Sequence, residues 1–350
     1  MITFITPIFY KNKYSYIYKR AKLLIKNFST LNNIELIIAD SSKKPILNSS
    51  FKNIKIIHTY TKDKAFSPAK ARNQAVSKAS HKLIFFYDVD LFFNFELIKK
   101  LLFLGNEILQ NKKNFIALPF LYLTKKGSHF LISTNNTTAL KQSFLKGENH
   151  LIESFAANGS AILLKKEIFL KLGGFKENFL GHGGEDFDFL HRLFAHYPHS
   201  AQNTDYYFNQ TSQFVANLKG FRNYMARYSL PYFFDNLFLL HLWHPRPFSN
   251  PFYFRKESNK ILLLESMQNF DKCNTNIWAS TKKLPSIEDF ILQLAQEHGY
   301  SKDQCIGFFS YGKGIKPPKK PLGNKLRKLF LNPKSFLQDS KIFKFHKRLP

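Results

Sequence analysis

Apolar runs of strand length alternate with helix-forming segments through the first hundred residues, and this alternation constrains the fold more than any other feature. ITFITPIF (2–9) is a short apolar run containing Pro7, and residues 15–29 then space Tyr, Ile, Leu and Phe at helical intervals. IELIIAD (34–40) and NIKIIHTY (53–60) read as second and third strands. PAKARNQAVSKA (68–79) opens with Pro at a first helical turn and continues in good helix formers. KLIFFYDVDLFF (82–93) is a fourth strand whose carboxyl end carries Asp88 and Asp90. The order predicts an α/β fold, a mostly parallel, Rossmann-like sheet flanked by helices. Such sheets bind ligands at the carboxyl ends of their strands, where Asp40, Asp88 and Asp90 would all emerge.

Carboxylates inside an apolar run are costly to bury unless something positive meets them. Asp-x-Asp at a strand end suits a divalent cation, Mg²⁺ or Mn²⁺, bridging protein and diphosphate; the ordinary alternative is a pair of turn residues. GHGGEDFDFLHRLF (181–194) sets glycines before an acidic helix start. Glu185 and Asp186 suit the positive amino end of that helix, and a carboxylate beside a bound sugar can act as general base. The alternative there is a capped helix with surface acids. In HLWHPRP (241–247) the spacing of His241 and His244 lets one helical turn present both on one face. They could close a metal shell begun by the aspartates, His244 being the preferred ligand.

The second half is less regular. NFIALPFLYL (114–123) and NGSAILLKKEIF (158–169) supply further strand and helix, and 205–300 is aromatic-rich and mostly helical or loop-like. Composition changes beyond Tyr311. Residues 311–350 hold twelve Lys or Arg against one acid, Asp339, in a chain of 52 basic and 24 acidic residues and net charge +28. Such a balance favours an anionic partner, while 44 % hydrophobic residues exclude a disordered chain. Cys273 and Cys305 form no C-x-x-C pattern, which disfavours a cysteine zinc site and fits a reducing compartment. The amino terminus reads as a strand and not as a signal peptide, and PYFFDNLFLLHLW (231–243) is too short and too polar to span a bilayer. The expected location is cytoplasmic, peripheral on the inner face of a membrane.

FSPAKARNQAV, FYDVDLFF, NGSAILLKKEIFLKLGGF and GHGGEDFDFLHRL occur in the order seen in inverting GT-A glycosyltransferases. Over roughly residues 2–250 the chain resembles the β-1,4-galactosyltransferase family and the related bacterial family 2 enzymes of capsule and surface polysaccharide synthesis. The resemblance implies a UDP-sugar donor, Mn²⁺ or Mg²⁺, and an oligo- or polysaccharide acceptor. It implies that Asp90, His244 and His241 hold the metal, and that Thr6, Pro7, Asp40, Arg72, Asn73, Asp88 and Gly159 line the donor site. Asp186 would be the catalytic base, with Glu185, His182 and Gly184 at the acceptor. His182 departs from the aromatic residue common before GGED. Ala156, Ala157 and Asn158 stand where the galactosyltransferases carry a bulky Tyr, which leaves room for an N-acetyl group and leans toward UDP-GalNAc or UDP-GlcNAc. The expected division is a catalytic domain over 1–250, with its nucleotide-sugar half at about 1–125 and its acceptor half at about 126–250, then a helical extension over 251–310 and a basic amphipathic tail over 311–350.

In the tail, Leu326, Leu329 and Phe330 sit at one-face spacing among Lys325, Arg327 and Lys328, with Phe336, Leu337, Ile342, Phe343 and Phe345 beyond Pro333. Cations interleaved with apolar residues suit an interfacial segment on anionic lipid. A tail packed on its own catalytic domain, or one that binds an anionic polymer acceptor, would read the same way. Two rival functions compete with the transferase. One is a basic nucleic-acid-binding protein, which leaves the clustered acids unexplained and is not favoured. The other is a transferase-like fold that is inactive or uses a different activated donor.

Overall fold

The computed structural model describes residues 1–59, 66–246, 251–274, 278 and 284–317, with 326, 329, 330, 333, 336 and 337 beyond them. Strands β1 (Ile2–Ile8), β2 (Ile34–Asp40), β3 (Ile54–His58) and β4 (Leu83–Phe86) run parallel in the order β3-β2-β1-β4. Two antiparallel strands extend the β4 edge: β8 (Ile162–Lys165), then β5 (Phe115–Ala117). Every residue of β1 and β2 is buried, as expected of parallel strands covered on both faces. Ile2, Phe4 and Ile8 pack on one side with α1 (Tyr16–Phe28) and α3 (Phe95–Leu109). Ile5 and Ile37 pack on the other with α2 (Pro68–Lys78), α7 (Glu185–His196) and α10 (Lys256–Cys273). The period-two alternation read from sequence thus becomes two separate cores.

Pro7 sits in a central strand, where a missing N–H is usually costly. Its alternate neighbour Ile5 accepts from Tyr87 N–H at 2.9 Å, so Pro7 turns the same way, toward β4. The β1–β4 pairing ends at Ile5–Phe86, so no ladder bond is lost at Pro7. Here β1 has β2 on one side and β4 on the other. The chain therefore changes direction of sheet growth between β1 and β4, the place where open α/β sheets form a crevice. Asp88 and Asp90 follow immediately past β4.

NFIALPFLYL divides into two strands of different sheets. Pro119 interrupts it, and β6 (Phe120–Leu123) leaves to form a second sheet with β7 (Ile152–Ala156) and β9 (Leu239–His241) in the order β7-β6-β9. Helices α4 (Lys125–Thr134), α5 (Thr137–Leu145), α9 (Leu230–Phe234) and α11 (Ile287–Glu297) cover this sheet in a third core, while α6 (Lys166–Lys171) and α8 (Phe221–Ala226) join the second. The 241–244 segment is not helical, contrary to the sequence reading. His241 ends β9, because Leu239–His241 pairs in parallel with Phe120–Tyr122, and His244 lies in the extended chain beyond it.

Leu263 and Met267 of α10 are buried in the same core as α7. Between these helices, Asp188 accepts from Arg192 Nη2 at 2.6 Å and Nε at 3.1 Å, from Lys176 at 3.3 Å, and from the Ser266 hydroxyl. The third acid of GGEDFD is thus a structural ion pair facing away from the cleft. Among the described residues no helix is long and apolar enough to cross a membrane. Asp188→Ala would leave the buried Arg192 guanidinium without its counter-charge, and urea unfolding should show a loss of about 3–5 kcal/mol.

Candidate active site

Arg72 answers the question posed by aspartates in an apolar run. It projects from α2, is 3 % exposed, and lies over the Phe175 ring with its guanidinium 5.3 Å from the centroid. Its Nη2 donates to Asp88 Oδ1 at 2.9 Å and its Nη1 to Glu185 Oε1 at 3.1 Å. One side chain therefore joins the acid past β4 to the acid at the start of α7. The Ser160 hydroxyl donates to the other Asp88 oxygen at 2.7 Å. Burial alone would raise the Asp88 carboxyl, but Arg72 and Ser160 hold it below the usual range.

The neighbouring pair is shifted the opposite way. Burial raises Glu185, and the charge of Asp186 adds to it; burial likewise raises Asp186, against the pull of Arg72 and Arg222. Among the described residues, Glu185 Oε2 is buried with no hydrogen-bond partner. These acids reach the cleft because the chain before α7 is compressed. Gly184 has φ +110°, and a Cβ there would stand 2.6 Å from the Phe179 ring, so only glycine fits. At Gly181, with φ +75°, a Cβ would meet the Phe252 carbonyl at 2.6 Å. Opposite the acids, Arg222 lies over the Phe187 ring, its centroid at 4.3 Å.

Asp90 faces the other way, toward the second sheet. One of its oxygens accepts from Arg20, and the other lies 3.6 Å from His244 Nε2. Donor atoms of Asp90, His241 and His244 all lie within 4.8 Å of one another. His241 Nδ1 is buried with no hydrogen-bond partner among the described residues, and burial pushes the ring down to about 4, so it is neutral at pH 7. One carboxylate and two imidazoles fit a divalent transition metal such as Mn²⁺ better than Mg²⁺, which prefers oxygen. Tyr16 accompanies His244 at 3.1 Å from Nδ1, and the Tyr122 ring stacks on His241 at 4.4 Å. Burial raises the Tyr122 hydroxyl, as do Asp88, Asp186 and Asp90, so it senses both sets of acids.

Other expected residues stand behind the cleft. Asp40 is fully buried, with Oδ2 accepting from the Tyr10 hydroxyl at 2.9 Å and Oδ1 from Ser42 N–H at 2.9 Å. The Thr6 hydroxyl donates to the Tyr87 carbonyl at 2.7 Å, pinning the end of β1 to the end of β4. Asn73 turns from its neighbour Arg72 to the 173–177 loop, where Nδ2 donates to the Phe175 carbonyl at 2.8 Å and to Glu177 at 3.0 Å. At Gly159 a Cβ would stand 2.8 Å from the Phe120 ring. His182 packs against Phe252 and Tyr253, with ring centroids at 5.6 and 5.2 Å. Sequence reasoning missed Arg20, Tyr122, Ser160 and Arg222. Each is an ordinary residue in an amphipathic or apolar segment, and nothing local marks it out.

Two measurements test this geometry. Arg72→Lys keeps one charge but loses the two-sided fork; it should lower the melting temperature in a calorimetric scan. His244→Ala should weaken Mn²⁺ binding, followed by electron paramagnetic resonance, by at least about tenfold.

The sequence profile of "Glycosyltransferase like family 2" matches residues 3–269. No curated protein matches the chain in sequence. Among solved structures, residues 1–349 of S. aureus TarS in complex with UDP-GlcNAc are 13 % identical, covering 96 % of this chain and 80 % of that one at a TM-score of 0.43. A longer S. aureus TarS structure is 13 % identical, covering 98 % and 50 % at 0.39. The catalytic domain of Drosophila β1,4-galactosyltransferase 7 complexed with xylobiose is 13 % identical, covering 55 % and 60 % at 0.26. With a family profile spanning most of its length and a mixed α/β fold around a mostly parallel sheet, the chain belongs to the glycosyltransferase-like family 2 and is a glycosyltransferase.

Proposed function

We propose that the protein is a metal-dependent, inverting transferase that moves a hexose or N-acetylhexosamine from a UDP-sugar to a hydroxyl of a glycan acceptor. The observation that carries this reading is the Arg72 bridge, which makes Asp88 and Glu185 walls of one cleft. Asp90, His244 and His241 would hold the cation. When bound, it neutralises charge developing on the departing diphosphate. Asp88 and Arg72 border the donor, with Thr6, Pro7, Asp40, Asn73 and Gly159 shaping its floor from behind. Glu185, His182 and Gly184 flank the acceptor.

Asp186 takes the proton of the acceptor hydroxyl as that oxygen attacks the anomeric carbon on the face opposite the leaving UDP. Its raised affinity for protons makes it a better base than a solvated aspartate. A single displacement inverts the anomeric carbon, so an α-linked donor yields a β-linkage. Asn158 supports an N-acetylated donor: its Nδ2 is buried without a hydrogen-bond partner among the described residues and could donate to an acetamido carbonyl. The setting we favour is capsule or surface polysaccharide synthesis on the cytoplasmic face of a membrane. In the tail, Leu326, Leu329, Phe330 and Leu337 are exposed, as an interfacial segment requires; Lys325, Arg327, Lys328, Ile342, Phe343 and Phe345 lie outside the described residues.

A UDP-sugar panel with Mn²⁺ and with EDTA should show hydrolysis or transfer only with the metal, and more from UDP-GlcNAc or UDP-GalNAc than from UDP-Gal. Asp186→Asn should abolish transfer while leaving UDP affinity nearly unchanged; normal turnover in that variant would refute the base assignment. The pH profile of kcat/KM should fall on the acid side, as Asp186 gains its proton. Because burial raises the carboxyl, that limb should lie above the ordinary aspartate value of about 3.9.

A further inference from the structure

A second pocket of about 330 Å³ opens outside this cleft, between the start of α3, the start of α5 and the turn after α9. Leu240 of β9 lines it. The next residue, His241, belongs to the metal cluster, and alternate strand residues point to opposite faces. The pocket therefore lies behind the strand that carries His241. Its floor holds Lys141, which is 2 % exposed. The Lys141 ammonium donates to the Phe234 carbonyl at 3.1 Å and to Asn236 Oδ1 at 2.7 Å, and lies 5.2 and 5.6 Å from the Phe233 and Tyr300 ring centroids, all neutral partners. Among the described residues, no carboxylate lies within ion-pair distance of it.

We propose that this pocket binds an anionic saccharide unit, a sugar bearing a phosphate or carboxylate, with Lys141 and Lys100 meeting the charge. A buried cation without a paired anion is costly, and its natural complement is an anionic ligand. Lys100 adds a second cation over the same turn, its Nζ 3.4 Å from the Asp235 carbonyl. The nearby acids do not occupy the role. Glu96 is 72 % exposed at its side chain and pairs with Lys99 at 3.0 Å, and Asp235 pairs with His298 at 3.0 Å. Around the cations, Thr137, Thr138 and Gln142 offer hydroxyl and amide groups suited to sugar hydroxyls, and Tyr300 offers a ring. The volume falls at the lower end of the range for small-molecule sites, about 300–1,000 Å³, and exceeds what inorganic phosphate fills. Burial pulls Lys141 down to about 8, with Lys100 acting in the same direction and Asp235 against it.

The test is calorimetric titration of the full chain with glucuronate, glucose 6-phosphate, glucose and inorganic phosphate. Both anionic sugars should bind and glucose should not. Lys141→Met should weaken binding about tenfold or more, the loss of a charge-assisted hydrogen bond. Lys100→Ala, at an exposed position that does not threaten folding, should weaken it measurably, and Asp90→Ala in the cleft should leave it unchanged. The site is overturned if neither anionic sugar binds, if glucose binds equally well, or if Lys100→Ala has no effect. Loss in Asp90→Ala alone would assign the binding to the cleft and overturn it too. Inorganic phosphate binding as tightly as the sugar phosphate would overturn the saccharide assignment.

Discussion

A guanidinium buried between two carboxylates is the interaction on which the cleft depends. Arg72 and Glu185 are 113 residues apart, yet one fork of N–H groups holds Glu185 and Asp88 together. Without it, Asp88, Glu185 and Asp186 would face one another lacking the cation that bridges two of them, and the low dielectric around buried Glu185 would amplify the repulsion. With it, Asp88 is held ionised while the Glu185–Asp186 pair is raised. Carboxylates of one chemical type thus acquire different proton affinities through placement alone. In the proposed mechanism, that separation would divide groups that hold a substrate from one that accepts a proton.

The cluster of Asp90, His241 and His244, the proposed metal end of the site, is assembled by backbone pairing. Phe92 N–H donates to the Leu240 carbonyl at 2.8 Å, and Leu242 N–H to the Asp90 carbonyl at 2.9 Å. These bonds lay the HLWH segment directly against the segment carrying the second aspartate. At the start of α7, α10 performs a similar closure: Asn259 Nδ2 donates to the Leu180 and His182 carbonyls at 3.0 and 3.3 Å. The glycine-rich approach to α7 is thereby held in its left-handed turns by a helix from well beyond it.

Much of the first hundred residues was legible because buried parallel strands leave continuous apolar runs and amphipathic helices leave their own spacing. Strands β1 to β4 and helices α1 and α2 fall within a residue or so of their sequence limits, apart from the shorter β3 and β4. Where the reading failed, local spacing was a poor guide. His241 and His244 are three apart, which suits a helical turn, but tertiary pairing with β6 and with residues 90–92 draws the first into a strand. NFIALPFLYL has strand character throughout, and nothing in it announces that Pro119 sends its halves to different sheets.

The sequence by itself determined the α/β class, the acids at the end of the fourth strand, and the acidic helix start behind its glycines, since each depends on near neighbours along the chain. Only the tertiary structure decided which cation meets which acid. Arg72 stands out in the sequence only by resemblance, and its double grip, the turning away of Asn73 and Asp188, and the arrival of Arg20, Tyr122 and Arg222 are outcomes of helix and sheet packing. Electrostatic partnership falls off with distance in space and is indifferent to separation along the chain, so its partners cannot be read from order alone.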